Sequence, residues 1–227
     1  MLVSVAIYAP LMLPTAILPF PMRYRLISRW ARGQVFMLKH LCGLDYRVEG
    51  REHLPAGAAV ILAKHQSAWE TIAFEQIFPP QTWVLKRELL WIPFFGWALA
   101  LLRPISIDRN AGRRAIEQVI VQGRERLQSG IWVVVFPEGT RTPPGRRGHY
   151  AIGGAVLAAE TGYPVVPVAH NAGSFWPRRG FLKRPGTVRV VIGPVIDPRG
   201  KTAEDIRRQA EKWIEGTMAD LEGKRST

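Results

Sequence analysis

Seven short runs rich in β-branched and aromatic residues recur along the chain, at 45–48, 58–63, 82–85, 105–108, 132–136, 165–169 and 188–192. Several of them, 58–63 and 132–136 above all, show no alternation of polar and apolar positions. A strand that is apolar on both faces must be covered on both faces, which confines the chain to a largely parallel sheet sandwiched by helices. The intervening stretches 69–77, 113–128, 150–159 and 202–221 read as those helices. The second lies between Gly112 and Gly130, and the last opens at Thr202 with Asp205 three residues on, a capping pattern. The fold expected is a single α/β domain over residues 45–227, its mostly parallel mixed sheet covered by helices.

Residues 1–44 read differently. From 2 to 21 the chain is almost wholly apolar and uncharged. Twenty such residues suffice to span a bilayer as a helix, but Pro10, Pro14, Pro19 and Pro21 argue against a regular one. No basic region precedes the apolar run and no small-residue site closes it, so it does not read as a secretory signal. From 23 to 41 the pattern turns helical. Arg25, Arg29, Arg32 and Lys39 fall within an arc of roughly 80°, with Leu26, Trp30, Met37 and Leu41 opposite. The first acidic residue is Asp45. A cationic face, an apolar face and a preceding apolar segment predict a two-helix, membrane-associating appendage lying in an anionic interface. The competing expectation is an ordinary helix packed on the domain. If the first segment spans, the arginines after it keep the remainder on the cytoplasmic side of the membrane.

Composition narrows the partners. With 47% hydrophobic and 22% charged residues, the chain is neither disordered nor a multi-span membrane protein. Its 31 Lys and Arg against 18 Asp and Glu give a formal charge of +13, which favours polyanions. Nucleic acid is the weaker choice, because much of that charge sits beside an apolar segment and no nucleic-acid motif is present. A single cysteine, Cys42, leaves no disulfide framework and no cysteine-based metal site.

Chemistry concentrates after two of the apolar runs. His65 and Glu70 follow 58–63. On one continuous helix they would stand about 140° apart, so they meet only if the chain turns between them. Ser67 gives a reason for the turn, since Ser67-x-x-Glu70 is a capping box. His65 and Glu70 are therefore read as a base and its orienting carboxylate, or, more simply, as a loop histidine beside a helix cap. After 132–136 comes Pro137-Glu138-Gly139-Thr140-Arg141. There Gly139 lets backbone approach a ligand, Thr140 offers a hydroxyl and an amide, and Arg141 offers a fork suited to phosphate. Glu138 is placed to accept a substrate hydroxyl or to hold the arginine. Lys86 and Arg109 stand at two further strand ends, where α/β sheets place ligands. The aromatic-rich insert 89–102 between them suits an acyl-chain slot, a membrane dip or plain core.

Taken together, the segment from His65 to Glu70, the Lys86-x-Glu88-Leu89 segment with Pro93, Gly96 and Asp108-Arg109, the segment from Phe136 to Arg141, and Val166-Pro167-Val168 resemble the four ordered blocks of the glycerolipid acyltransferases. The likeness covers about residues 45–196, and the third block is highly specific. Two positions depart from the family's usual pattern: Glu70 stands where aspartate is common, and Lys64 where asparagine is. The resemblance implies transfer of a fatty acyl group from acyl-CoA or acyl carrier protein to the free hydroxyl of lysophosphatidic acid, giving phosphatidic acid. A different lysolipid acceptor, such as lyso-ornithine lipid, is the alternative. On the same basis His65 and Glu70 are catalytic, Lys86, Arg109, Glu138, Gly139, Thr140 and Arg141 bind substrate, no metal or cofactor beyond the acyl donor takes part, and the bilayer is a partner.

Overall fold

A computed structural model describes residues 2–223. Its sheet has seven strands: β1 (Leu44–Glu49), β2 (Val60–Ala63), β3 (Gln81–Lys86), β4 (Ile105–Ile107), β5 (Trp132–Val135), β6 (Val165–His170) and β7 (Gly186–Ile192). Their spatial order is β1-β7-β6-β2-β5-β3-β4. Every neighbouring pair is parallel except β6–β7, so β1 and β7 run against the other five. All seven expected runs are strands of this one sheet. The central strands β2 and β5 are flanked on both sides, as their unbroken apolar sequence requires.

Alternate residues of those strands enter two separate cores. Ile61, Val134, Val166 and Val168 face one side with Trp69, Phe74, Val35 and Leu38. Val60, Leu62, Val133 and Val165 face the other with Leu127, Leu157, Ile206 and Ile214. The first core is roofed by α2 (Phe20–Cys42) and α3 (Trp69–Ile77), the second by α5 (Arg113–Gln128), α6 (Gly153–Thr161) and α7 (Ala203–Gly223). Helix α7 opens with a complete capping box, in which the Thr202 hydroxyl accepts the Asp205 amide at 3.1 Å while Asp205 accepts the Thr202 amide at 3.3 Å.

The prolines of the first 21 residues shape a hairpin. Helix α1 (Leu2–Met12) contains Pro10, a 3-10 turn at Leu13–Ile17 contains Pro14, and α2 begins around Pro19 and Pro21. No helix among the described residues is long and apolar enough to cross a membrane. The hairpin is not a free appendage: α2 packs on α3 and β1 and joins the first core, and α1 packs on α2 and on α4 (Phe95–Ala100). The packed stripe of α2 is Tyr24, Ser28, Ala31, Val35 and Leu38, not the expected Leu26, Trp30, Met37 and Leu41. Small residues let two helices approach, so a serine and an alanine serve the contact. Trp30 packs partly against the core and stacks near Tyr8, whereas Met37 and Leu41 remain outside, 47% and 73% exposed. Gly43 closes α2 with φ of +62°, a left-handed cap that glycine adopts without strain.

The insert after β3 becomes a 3-10 turn (Arg87–Trp91) followed by α4. Its aromatic residues point outward, with Trp91 65% and Trp97 49% exposed, while Leu101 and Leu102 enter the core. An apolar cavity of about 100 Å³ lies between α1, α2 and α4, lined by Tyr8, Met12, Ile27, Trp30, Leu99 and Leu102 among others.

Candidate active site

The carboxyl ends of β2, β3, β4, β5 and β6 lie along one edge of the sheet, and those of β2, β3, β4 and β5 lead into residues singled out above. The chain does turn between His65 and Glu70. It leaves β2, bends through residues 64–68 and enters α3, whose first turn carries Glu70. Glu70 is fully buried. Its Oε1 accepts three N–H groups: His65 Nδ1 at 2.8 Å, the Gln66 amide at 2.9 Å and the Ser67 amide at 2.8 Å. Ser67 Oγ meanwhile accepts the Trp69 amide at 3.1 Å and donates to the Trp176 carbonyl at 2.6 Å. The two readings of this stretch are thus not alternatives. The carboxylate that satisfies the amides at the helix start is also the one that holds the imidazole.

That hydrogen bond fixes the tautomer. A carboxylate accepting from Nδ1 places the imidazole proton there and leaves the Nε2 lone pair free. The ring is further fixed by stacking on Phe136, with centroids 4.1 Å apart and planes 14° off parallel. The backbone of His65 is held on both sides. Its amide donates to Glu138 Oε2 at 3.1 Å, and its carbonyl accepts the Thr142 amide at 2.8 Å. Burial alone pushes the Glu70 carboxyl up, but the His170 and His65 imidazoles and the Ser67 amide outweigh it and hold the group below its ordinary value. Burial also holds the His170 imidazole below its usual value. His170 Nε2 donates to the Lys64 carbonyl at 2.8 Å while Nδ1 accepts the Ala172 amide at 3.3 Å, an arrangement that needs the neutral ring. At neutral pH the Glu70 anion is therefore steadied mainly by N–H donors.

Glu138 turns inward. Its side chain is wholly buried. Oε1 accepts Lys64 Nζ at 2.8 Å, Thr142 Oγ1 at 3.0 Å and the Gly148 amide at 3.0 Å. With the His65 amide on the other oxygen, Glu138 has no free face for a substrate hydroxyl, and the cation it meets is Lys64 rather than Arg141. It braces the site instead of lining it. Lys64 is itself 1% exposed and also reaches Glu215 Oε1 at 2.9 Å and the Arg146 carbonyl at 3.1 Å. Helix α7 thereby reaches the site from behind. Glu215 also accepts Tyr150 Oη at 2.8 Å, and Glu222 accepts the Gln66 side-chain amide at 3.0 Å and the Gly145 amide at 2.8 Å.

The remaining candidates form a cationic rim. Gly139 takes φ of +65°, and its carbonyl accepts the guanidinium of Arg109, which joins the end of β4 to the loop after β5. Thr140 is exposed and Arg141 half-buried. The Arg141 carbonyl accepts Arg178 Nη1 at 3.3 Å, so a second arginine stands beside it. Lys86 stands at the end of β3 with its ammonium 3.1 Å from Glu88 Oε1. Residues whose place at the site the sequence did not mark include His170, Trp176 and Glu215. Of these only His170 left a signal: it directly follows the apolar run 165–169.

Residues 45–171 match the family model described as Acyltransferase. The chain belongs to the acyltransferase family. It is 47% identical over 209 residues to the 1-acyl-sn-glycerol-3-phosphate acyltransferase of Pseudomonas aeruginosa, covering 90% of this chain and 81% of that protein. It is 29% identical over 204 residues to the protein of the same name from Saccharomyces cerevisiae, covering 81% of this chain and 65% of that one. Among solved structures, the 1-acyl-sn-glycerophosphate acyltransferase PlsC of Thermotoga maritima superposes with a TM-score of 0.80 at 25% identity, over 99% of this chain and 92% of that one.

Proposed function

We propose that this acyltransferase moves a fatty acyl group from a thioester, on coenzyme A or acyl carrier protein, to the free sn-2 hydroxyl of 1-acyl-sn-glycerol-3-phosphate, giving phosphatidic acid. The observation that carries the reading is the free Nε2 of His65, held by Glu70 on its other nitrogen, beside a cationic rim that includes Arg141. The names of the relatives support this choice of acceptor. In the proposed step Nε2 takes the hydroxyl proton as the oxygen attacks the thioester carbonyl. Collapse of the tetrahedral intermediate breaks the carbon–sulfur bond, and the imidazolium returns the proton to the departing thiolate. Glu70 keeps Nδ1 protonated throughout and stabilises the imidazolium. Arg141 binds the acceptor phosphate, with Arg109 and Lys86 adding positive charge nearby.

Acceptor and product are bilayer lipids, so we place the enzyme on the cytoplasmic face of the membrane. Support comes from the exposed apolar stripe Val3, Ile7 and Leu11 on α1 and from Trp91, Phe94 and Trp97 around α4, on which α1 packs. Together they form a face suited to a bilayer interface.

The test is an assay in detergent–lipid micelles with lysophosphatidic acid and an acyl thioester, using wild type, His65→Ala and Arg141→Ala. Wild type should make phosphatidic acid. His65→Ala should lose on the order of 10² or more in rate at every substrate level. Arg141→Ala should raise the acceptor KM by about tenfold, with activity partly recovered at high acceptor. If His65→Ala stays within a few-fold of wild type, the base is assigned wrongly. If wild type ignores lysophosphatidic acid but acylates lyso-ornithine lipid, the acceptor falls while the chemistry stands.

A further inference from the structure

The connection between β6 and β7 carries a feature that the reaction above does not use. After the buried Trp176 the chain reads Pro177-Arg178-Arg179-Gly180-Phe181-Leu182-Lys183-Arg184. Phe181 and Leu182 are 88% and 78% exposed, the apex of a loop that buries neither. Four cations surround them within seven residues, and no Asp or Glu occurs anywhere from 161 to 196. None of the four has a carboxylate partner among the described residues. An exposed aromatic–aliphatic pair is unfavourable in water, and four cations without a carboxylate beside it favour an anionic surface.

The loop is also held in shape. Gly180 and Arg184 amides donate to the Pro177 and Phe175 carbonyls at 2.9 and 2.8 Å. Trp176 Nε1 donates to the Gly180 carbonyl at 3.2 Å, and Lys183 Nζ lies 4.6 Å from the Trp176 ring centroid. At its base Ser67 Oγ, two residues from the catalytic imidazole, donates to the Trp176 carbonyl. The apolar apex is thus presented by a structured hairpin anchored to the site.

Its position relative to the other exposed apolar cluster decides the partner. The loop leaves the carboxyl end of β6, and the Leu89–Trp97 cluster follows the carboxyl end of β3. Between β6 and β3 in the sheet lie β2 and β5, whose ends carry His65 and the Phe136 to Arg141 loop. The two apolar clusters therefore stand on opposite sides of the site along one edge of the sheet. We propose that residues 178–184 form a second membrane contact, which inserts Phe181 and Leu182 into the interface of an anionic bilayer while Arg178, Arg179, Lys183 and Arg184 meet its headgroups. Two contacts, one on each side, fix the tilt of the enzyme so that the site faces the lipid. A free phosphate would satisfy the cations but leaves the apolar apex unexplained. This inference builds on the bilayer reading above, yet it concerns a different element and fails separately.

The decisive experiment labels the loop itself. In full-length Cys42→Ser, Leu182→Cys carries an environment-sensitive fluorophore, and vesicles of phosphatidylcholine with or without phosphatidylglycerol carry a quencher at shallow acyl depth. A blue shift and quenching on the phosphatidylglycerol vesicles are expected, with neither on phosphatidylcholine alone. Protein that floats with the vesicles while the label stays in water overturns the second contact and leaves the N-terminal one standing. A blue shift given by acyl carrier protein and not by vesicles likewise overturns it, making the loop a protein-docking site. As a second measurement, Phe181→Ser/Leu182→Ser should lower partition onto anionic vesicles by about tenfold or more, with activity in detergent micelles unchanged. Partition equal to wild type contradicts the proposal.

Discussion

Helix α3 carries two buried carboxylates five residues apart, and their surroundings hold them in opposite conditions. Glu70, at the site, collects three N–H donors on one oxygen and is kept below its ordinary pKa against the pull of burial. Glu75, beneath α2, has the Ser28 hydroxyl at 2.7 Å, and burial pushes its carboxyl up to about 7. A third buried carboxylate, Glu138, has a full ammonium against it. Burial alone therefore does not decide whether a carboxylate is charged; the number and kind of donors do. At the site these donors come from the turn that also starts the helix, so the same few residues fold α3 and keep the base's partner ionised.

The largest change should follow from stripping a buried carboxylate of its cation. Lys64→Met leaves Glu138 and Glu215 without the ammonium they share, in a site with no water-facing exit for Glu138. Removing one partner of a buried ion pair costs about 3–5 kcal/mol, so thermal melting should drop by several degrees and activity should fall with it. A variant that melts with wild type would mean that the remaining donors to Glu138 suffice. Next comes Glu70→Gln. The amide oxygen can still accept backbone N–H groups, but its NH₂ favours an imidazole with Nδ1 as acceptor and the proton on Nε2, where the acceptor hydroxyl needs a lone pair. The turnover number should fall on the order of 10³ with KM little changed. Unchanged turnover would return Glu70 to being a helix cap.

Glu75→Gln probes the other end of the helix. The carboxyl has a folded value of about 7 against an ordinary 4.5, so between those two pH values the folded chain keeps a proton that the unfolded chain has released. Stability from this group is complete below 4.5, declines as pH rises through the window and is flat above 7. The amide, which stays neutral, should remove that slope and leave the variant more stable than wild type at pH 8 by about 3 kcal/mol at most. Denaturant unfolding at pH 5 and pH 8 measures it, and identical slopes in both proteins would show that Glu75 is ionised at both.

Much of this was legible in the sequence, and the exceptions have physical causes. The central strands β2, β5 and β6 announced themselves because both of their faces are buried, which writes an unbroken apolar run. The His65–Glu70 pairing was legible because a turn and a capping box are local. Lys64 was not: its carboxylates lie 74 and 151 residues away, and nothing near it marks a lysine as buried. Helix α4 was missed because Phe95–Ala100 is apolar all round and short, so it has no periodicity to read. On α2 the wheel picked out the largest apolar residues, whereas the docked stripe includes Ser28 and Ala31, and Ser28 is there to meet Glu75. The inward turn of Glu138 was hidden for the same reason as Lys64. A carboxylate in a Gly-containing loop reads as exposed until the chain behind it is known.

Glu70→Asp is the smallest change and separates charge from position within the site. Aspartate is the residue the family more commonly carries there, and it preserves the anion. It is one methylene shorter, however, and the turn in this chain is set around glutamate: a single oxygen reaches two backbone amides and the imidazole together. From the same backbone position an aspartate oxygen cannot reach all three donors at once. The His65 contact should then lengthen, the imidazole should lose part of its orientation, and turnover should fall by about tenfold, far less than with the neutral glutamine. The pH–rate profile should keep its shape, because the same groups titrate. Activity equal to wild type would mean that residues 64–68 follow the shorter carboxylate inward, and that the Phe136 stack and the Glu138 brace orient the base without help from the exact reach of residue 70. A loss as deep as that of glutamine would mean the reverse, that an anion nearby is worth little unless it touches Nδ1.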